Sequence, residues 1–340
     1  MTAEPFLDLH PATETMLDDV LNGFATTPRA LPSKYFYDAA GSLLFDQICE
    51  LNEYYPTKTE RWILETYVDE ISAALGDNIV LIEYGSGSSI KTRLLLEHLN
   101  GLAAYVPIDI SKKHLMMAAR NLEGEFPTLP IFPVCADYLQ DIDLNLTGVL
   151  SKGDGHGASS VPTDDGAKRS KEPSHLIFFP GSTIGNFNPE QARDFLKRVH
   201  HLAGNNGHLL IGVDLVKDPK VLHDAYNDTQ GVTAEFNRNI LHHVNHQLGA
   251  DINVDLFEHR AFWDESAERI EMQLVATDHQ KVDINGSVFA FNAGDVIQTE
   301  YSHKYRIEGF RALAEDAGFT VDRVWTDPQN LFSVQLLSTI

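Results

Sequence analysis

Residues 78–93 read NIVLIEYGSGSSIKTR: an apolar strand, Ile79–Ile82, runs into Glu83, then Gly85 and Gly87, and a helix opens near Ser89. A strand–Gly-x-Gly–helix unit presents backbone N–H groups and a helix N-terminus to a nucleotide-like ligand. The next apolar segment, Ala104–Ile108, ends in Asp109, 22 residues after Gly87. A carboxylate at that point accepts hydrogen bonds from both hydroxyls of a ribose. The combination predicts an adenosine-containing ligand at the edge of a parallel sheet.

What is missing narrows the ligand. A dinucleotide fingerprint places a third glycine where this chain has Ile90, and no G-x-x-x-x-G-K-[ST] loop is present to hold a triphosphate. Glu83 and Asp109 together would repel a pyrophosphate. S-adenosyl-L-methionine, with its sulfonium, ammonium and ribose, suits acidic surroundings.

Other residues could act on a second ligand. The segment Phe178–Pro189 (FFPGSTIGNFNP) follows a strand, so Asn186 stands where doubly wound folds bind ligands, unless it only stabilises the turn before Pro189. Tyr37 and Tyr54 lie in aromatic clusters that suit either a cation or plain packing. In Thr299–Tyr305 (TEYSHKY), strand alternation puts Glu300 and Ser302 on one face, Tyr301 and His303 on the other. A carboxylate beside a hydroxyl can grip both nitrogens of an imidazole; the alternative is a polar edge strand. His242, His243 and His246 have metal-like spacing but no acid or cysteine to complete a site, so no metal is expected.

These groups need a scaffold. Thr57–Glu60 matches a T-x-x-E capping box opening a helix with Ile63, Leu64, Tyr67, Val68, Ile71 and Leu75 on one face. Strands are expected at 79–82, 104–108, 131–134, 175–179 and 208–213, and helices at 91–99, 112–126 and 189–203, the last with Asn188 as N-cap and Gly204 past its end. Such alternation predicts an α/β, doubly wound parallel sheet. Residues 145–173 are rich in Gly, Ser, Asp and Lys and read as a flexible surface loop. Beyond Val213 a polar helix, 233–248, and strands at 261–264, 269–276, 281–284 and 295–301 read as an inserted α+β unit. A helix at 307–317 and strands at 320–326 and 331–337 then complete the parallel core, the layout of the common S-adenosylmethionine-dependent methyltransferase fold.

With 340 residues, 43% of them hydrophobic, the chain can form one large or two ordinary cores. A net charge of −23 disfavours nucleic acid and anionic membranes as partners. The two cysteines, Cys49 and Cys135, lack C-x-x-C partners and read as buried thiols in a reducing compartment. MTAEPFLDLH lacks the basic-then-apolar pattern of a signal peptide, and no apolar run has the length of a membrane span. A soluble cytoplasmic protein is expected.

From about Leu7 to the end, the chain closely resembles the histidine Nα-methyltransferases of ergothioneine biosynthesis. The resemblance covers KYFYDAAGSLLFDQI, EYYPTKTE, EYGSGSSIKT, GSTIGNF, DLVKD, AYND, GVTAEFNRN, FEHRAFWD, ERIEMQL and TEYSHKY; the 145–173 loop looks longer than usual for the family. It implies Nα-trimethylation of L-histidine to hercynine by a class I, Rossmann-like core (60–214 plus 306–340) with a second α+β substrate-binding domain (8–59 plus 215–305). By this resemblance Tyr37, Gly85, Lys91 and Asp109 hold the cofactor, and Asp137 and Tyr138 its adenine. Asn186 and Tyr226 hold the substrate carboxylate, Tyr54 stands near its amine and imidazole, and Met272, Glu300 and Ser302 take the imidazole ring. Tyr37 and Tyr54 are the catalytic candidates, as proton relays rather than dedicated bases. The expected partner is L-histidine alone, and the chain is expected to be a monomer. Rival readings are a methyltransferase of the same fold for another amino acid, such as a tryptophan derivative, and a non-catalytic S-adenosylmethionine-binding protein. An indole has one N–H and would leave the Glu300 carboxylate stranded.

Overall fold

The structure is a computed structural model that describes residues 6–9, 15–85, 90–138, 140, 142, 144 and 173–340. The first half of the chain forms β1 (Leu7–Asp8), α1 (Thr15–Ala25), β2 (Arg29–Ala30), α2 (Ala39–Glu50), α3 (Tyr55–Leu75), β3 (Ile79–Tyr84), α4 (Ile90–His98), β4 (Leu102–Asp109), α5 (Lys112–Glu125) and β5 (Val134–Cys135). After residue 173 come β6 (Ser174–Phe179), α6 (Pro189–Ala203), β7 (His208–Asp214), α7 (Pro219–Tyr226) and α8 (Val232–Leu248). Five strands follow, β8 (Phe257–Asp264), β9 (Arg269–Ala276), β10 (Gln280–Ile284), β11 (Ser287–Phe291) and β12 (Val296–His303), then α9 (Ile307–Asp316), β13 (Phe319–Thr326) and β14 (Phe332–Thr339).

The large sheet runs β1-β5-β4-β3-β6-β7-β14-β13. Its strands are parallel from β1 to β7, while β14 is antiparallel to both neighbours. Strand β3 is buried along its whole length, as a central parallel strand covered on both faces must be. The strand order reverses there, leaving a crevice beyond its carboxyl end. One apolar cluster fills each face, the first around Val80, Ile82, Phe179 and Phe195, the second around Leu81, Phe178, Leu210 and α3. Ile63, Leu64, Val68, Ile71 and Leu75 of α3 are all buried in the second. Each contributes roughly 1.5–3 kcal/mol of burial relative to exposure. Helix α6 is held by a reciprocal capping box, the Asn188 side chain accepting the Gln191 N–H and that of Gln191 accepting the Asn188 N–H.

A second lobe has its own core, built from α1, α2, α7, α8 and the inner face of a four-stranded sheet ordered β2-β12-β9-β8. Beside it β10 and β11 form a hairpin whose turn, Asn285-Gly286, has positive φ at both residues, as a two-residue turn matching strand twist requires. The two sheets are stitched together where the chain leaves and re-enters the large one. Tyr305 donates its N–H to the Asp214 carbonyl, and Val216 donates to that of Tyr305.

Three expectations change. The strand at 131–134 shrinks to Val134–Cys135 and a bridge between Ile131 and Tyr105, because Pro130 and Pro133 interrupt the row of N–H donors. Helix α3 opens at Tyr55, with Tyr54 at its N-cap and Pro56 in the first turn, so Thr57–Glu60 is not its capping box. Helices α1, α2 and α7 and strand β11 had no counterpart in the periodicity. The surface-loop assignment for 145–173 lies outside the described residues except at Pro173. No helix among the described residues is long and apolar enough to cross a membrane.

Candidate functional site

At the carboxyl end of β3, Gly85 has φ 73°, and no atom of the described residues beyond its chain neighbours lies within 4 Å of where a Cβ would sit. The described residues thus leave the backbone at Gly85 free for close approach by a ligand, as a cofactor cradle requires. Gly87 lies outside the described residues. Asp109 ends β4 beside it, partly exposed, and its Oδ1 accepts the Ser111 N–H at 2.8 Å. Asp137 and Tyr138 follow β5, both partly buried; the Tyr138 ring stacks on Tyr84 with centroids 5.5 Å apart. These residues fit a nucleoside: an open glycine turn, an acid at the next strand end and an aromatic wall.

Glu83 does not face this crevice, contrary to its supposed role in repelling a pyrophosphate. Its carboxylate is buried and accepts from the hydroxyls of Thr92, at 2.6 Å, and Tyr105. Burial pushes its pKa up to about 7 against the pull of those two bonds. Lys91 is paired with the carboxylate of Glu60. Glu60 is 1% exposed and also accepts the Gly181 N–H at 2.9 and 3.0 Å, so it ties α3 to the loop after β6 and to the start of α4. Gly212 leaves room for it, since a Cβ there would lie 1.9 Å from Glu60 Oε1.

The second half of the site sits on β12. Its pairing with β9 is regular from Val296 to Gln298, slips at Thr299, and resumes with Glu300 opposite Met272 and Ser302 opposite Ile270. That extra residue is decisive. Ile297 faces the core with Leu274, and without the slip the odd residues would continue inward and Glu300 would point away. Side chains lock the bulge: Thr299 donates to Asn237 Oδ1 at 2.7 Å, and Gln298 Nε2 donates to the carbonyls of Met272 and Glu300. Met272 is 2% exposed, so it contributes a fixed apolar floor. Among the described residues no hydrogen bond reaches the Glu300 carboxylate. Burial raises its pKa to about 7, with Lys304 pulling the other way.

Asn186 comes to this strand from the large sheet. The turn Thr183–Asn186 packs so closely that a Cβ on Gly185 would lie 2.6 Å from the His303 carbonyl oxygen. The tyrosines close the space between the lobes. Tyr37 is ringed by Phe45 and Phe236 yet 45% exposed, a ring lining an open cleft. Tyr54 packs edge-on to Phe45 and Tyr226. Burial raises the pKa of Tyr54 far above the ordinary phenol range; that of Tyr37 moves in the same direction, from the enclosed part of its ring and then from the Glu300 charge, although the ring is open to the cleft. They remain neutral at physiological pH and can relay a proton but not hold a phenolate.

Beneath them lies a network that the sequence reading missed. Lys304, 3% exposed, donates to Tyr226 Oη at 3.0 Å and Ser302 Oγ at 2.8 Å and pairs with Asp214 at 2.7 Å. Asp214 also accepts from Tyr55 and Lys217. Burial alone would raise the Asp214 carboxyl, but the two ammonium groups hold it below its ordinary value. Burial lowers Lys217 to about 8, whereas the charge of Asp214 holds Lys304 above the usual lysine range against its own burial. Alternation alone put Lys304 on the face of Ser302, and Asp214 ends an apolar strand as Asp109 does; those were the available signals. Glu60 gave none, because its T-x-x-E context matched a cap. Among the described residues no cluster of His, Cys, Asp and Glu is arranged to hold a metal ion, and both cysteines are free.

Comparison with known proteins bears on this geometry. The family described as histidine-specific, SAM-dependent methyltransferases matches residues 16–339. The histidine N-alpha-methyltransferase of Mycolicibacterium smegmatis is 39% identical over 97% of this chain and 97% of its own length. That of Mycobacterium tuberculosis is 38% identical over 94% and 93%. Ergothioneine biosynthesis protein 1 of Neurospora crassa is 29% identical over 88% of this chain, which spans 32% of that longer protein.

Proposed function

The chain belongs to the histidine-specific, S-adenosylmethionine-dependent methyltransferase family, and from that premise we propose that it trimethylates the α-amine of L-histidine, giving hercynine for ergothioneine biosynthesis. The observation that carries the substrate reading is Glu300: a partly buried carboxylate that, among the described residues, accepts no hydrogen bond, beside the Ser302 hydroxyl on the same strand face. A carboxylate left without a protein donor at the edge of a cleft is open to a donor from a ligand. An imidazole, with one N–H and one bare nitrogen, completes both groups.

We assign the cofactor to Gly85, Lys91, Asp109, Asp137 and Tyr138, with Tyr37 at its methionyl end. When bound, S-adenosylmethionine supplies an electrophilic methyl group. The protein's own part is alignment. Asn186 and Tyr226 hold the histidine carboxylate, Glu300, Ser302 and Met272 fix the ring, and the α-amine is left pointing toward the cofactor crevice. Orientation of this kind can supply much of the barrier reduction. Before each attack the ammonium form of the amine must lose one proton; the neutral hydroxyls of Tyr37 and Tyr54 accept a hydrogen bond from that ammonium and relay the proton toward water on the open side of the cleft, leaving the free amine to displace the methyl group. Residues 60–214 with 306–340 act as the cofactor domain, and 8–59 with 215–305 as the substrate domain. We place the protein in the cytoplasm, where its two unpaired cysteines stay reduced, and as a monomer.

The test is mass spectrometry of the protein incubated with S-adenosylmethionine and the twenty amino acids. Three methyl groups gained on histidine alone is the expected result. Methylation of another amino acid would overturn the Glu300–Ser302 assignment, and no product despite cofactor binding would overturn the activity.

A further inference from the structure

Tyr226 is the last residue of α7, so its carbonyl has no N–H partner within the helix. His259 on β8 supplies one, with Nε2 at 2.9 Å from that oxygen. A carbonyl only accepts, so Nε2 must carry the hydrogen. The other ring nitrogen, Nδ1, lies 2.9 Å from Nδ2 of Asn237, a fully buried side chain of α8. Nδ2 of Asn237 also stands 3.0 Å from the Gln273 carbonyl oxygen, while its Oδ1 accepts from Thr299 Oγ1 at 2.7 Å. The group facing the Gln273 carbonyl has to be the NH2, which fixes the amide this way round, and an NH2 donating to Nδ1 requires that nitrogen to be bare. The partners on its two sides therefore set His259 as a neutral ring with its hydrogen on Nε2. Burial lowers its pKa, which favours the same form; the Tyr226 carbonyl and Asp228 pull the other way, and Arg238 adds to the burial.

This row of contacts joins two places that the substrate needs. At one end is the backbone of Tyr226, whose side chain is assigned to the substrate carboxylate. At the other is Thr299, the extra residue of β12 where the register slips and Glu300 turns inward. Asn227 gives the end of α7 a second tether, its Nδ2 donating to the Ala261 carbonyl at 3.1 Å, but that bond stops at β8. The bond from His259 runs on through Asn237 to β12. A protonated ring would set an Nδ1–H against the Asn237 NH2, and turning the amide to meet it would set Oδ1 against the Gln273 carbonyl. Either state loses a buried hydrogen bond.

We propose that His259 is a positioning residue for the substrate: as a neutral ring bonded on both sides, it locks the end of α7 that carries Tyr226 to the bulge that aims Glu300. The inference rests on the assigned roles of Tyr226 and Glu300 and goes beyond them in naming a residue that acts on both without touching the ligand.

The experiment measures histidine methylation kinetics and S-adenosylhomocysteine affinity for the full chain and its variants at neutral pH. His259→Phe, which has neither bond, should raise the histidine KM roughly ten- to a hundredfold and leave S-adenosylhomocysteine affinity within about twofold. In His259→Gln the O–C–N of the amide can stand in for the N–C–N of the ring, so its KM should return to within about threefold of wild type. Combining His259→Phe with Thr299→Val should cost less than the product of the two single effects, because both act through Asn237. Nitrogen-15 NMR of the histidine-labelled wild type should show, in the one ring missing from His259→Gln, a protonated Nε2 and a bare Nδ1. An unchanged KM in His259→Phe, equal losses for both ligands, a His259→Gln as impaired as His259→Phe, or simply multiplying effects in the double variant would each overturn the proposal. So would two protonated nitrogens at His259, whether or not His259→Phe folds. A wild-type protein that does not methylate histidine would instead remove the substrate reading, and the proposal with it.

Discussion

Glu83 and Glu300 are the same residue type, the first fully buried and the second partly, and burial brings each to a pKa of about 7. Glu83 lies in the cofactor half, between β3, β4 and α4, and its two oxygens accept from Thr92 and Tyr105. Glu300 lies in the substrate half, on β12, and accepts from nothing among the described residues. A raised pKa therefore does not separate the structural acid Glu83 from Glu300, the acid proposed to bind a ligand; the completeness of the hydrogen bonding does. The same contrast runs through the two halves. The cofactor side is made from strand ends and a glycine turn, largely from backbone. The substrate side is made from side chains of α3, α7, β9, β12 and the turn after β6, held in register by buried charges.

The contrast breaks or sharpens under mutation. The largest expected effect is Glu300→Ala, which should raise the histidine KM by roughly a hundredfold while leaving cofactor affinity within about twofold, the loss of a charge-assisted bond to substrate. Glu83→Gln should do the reverse, lowering the melting temperature by several degrees, as expected for a loss of roughly 1–3 kcal/mol, and sparing the histidine KM. If both variants changed substrate affinity alike, the distinction between the two acids would fail. Gly185→Ala comes next. Its Cβ would press on the His303 carbonyl and push Asn186 off the strand, with an expected drop of roughly ten- to a hundredfold in kcat/KM for histidine at unchanged cofactor binding.

Glu60→Gln should loosen Lys91 and weaken cofactor binding roughly tenfold, leaving histidine affinity alone; isothermal titration with each ligand separates the two. pH gives a subtler signal. The Glu300 carboxylate is the stronger acceptor when ionised, which prevails above about 7, so histidine affinity should fall as pH drops through that value. The free imidazole titrates nearby, at about 6.5, so the comparison is with Glu300→Gln, whose profile should lack the Glu300 contribution. The smallest effect expected is from deleting Ser151–Lys171, which bears none of the assigned residues. Turnover within about twofold of wild type is the expected result, and loss of activity in a folded deletion would make that segment part of the site.

Local pattern carried most of the cofactor half. An apolar run ending in a glycine turn and a second ending in Asp109 are readable because strand, turn and acid are neighbours in the chain. Strand alternation likewise put Glu300 and Ser302 together. It could not say which way they faced. That was decided by the slip at Thr299, held by Asn237, 62 residues away. Glu60 was misread for the same reason: T-x-x-E is a local pattern, whereas the Gly181 N–H that its carboxylate accepts comes from 121 residues away. Lys304 appeared only as one more polar residue in an alternating strand.

By itself, then, the sequence determined the strand–helix order, the glycine turn with its two strand-end acids, and the residue types of the substrate face, because each depends on contacts within a few residues. The tertiary structure alone decided which buried acid is satisfied, which face of β12 looks inward, and where Lys304 donates. Those depend on partners brought together by folding, and a buried polar group takes its role from the partners it finds or lacks.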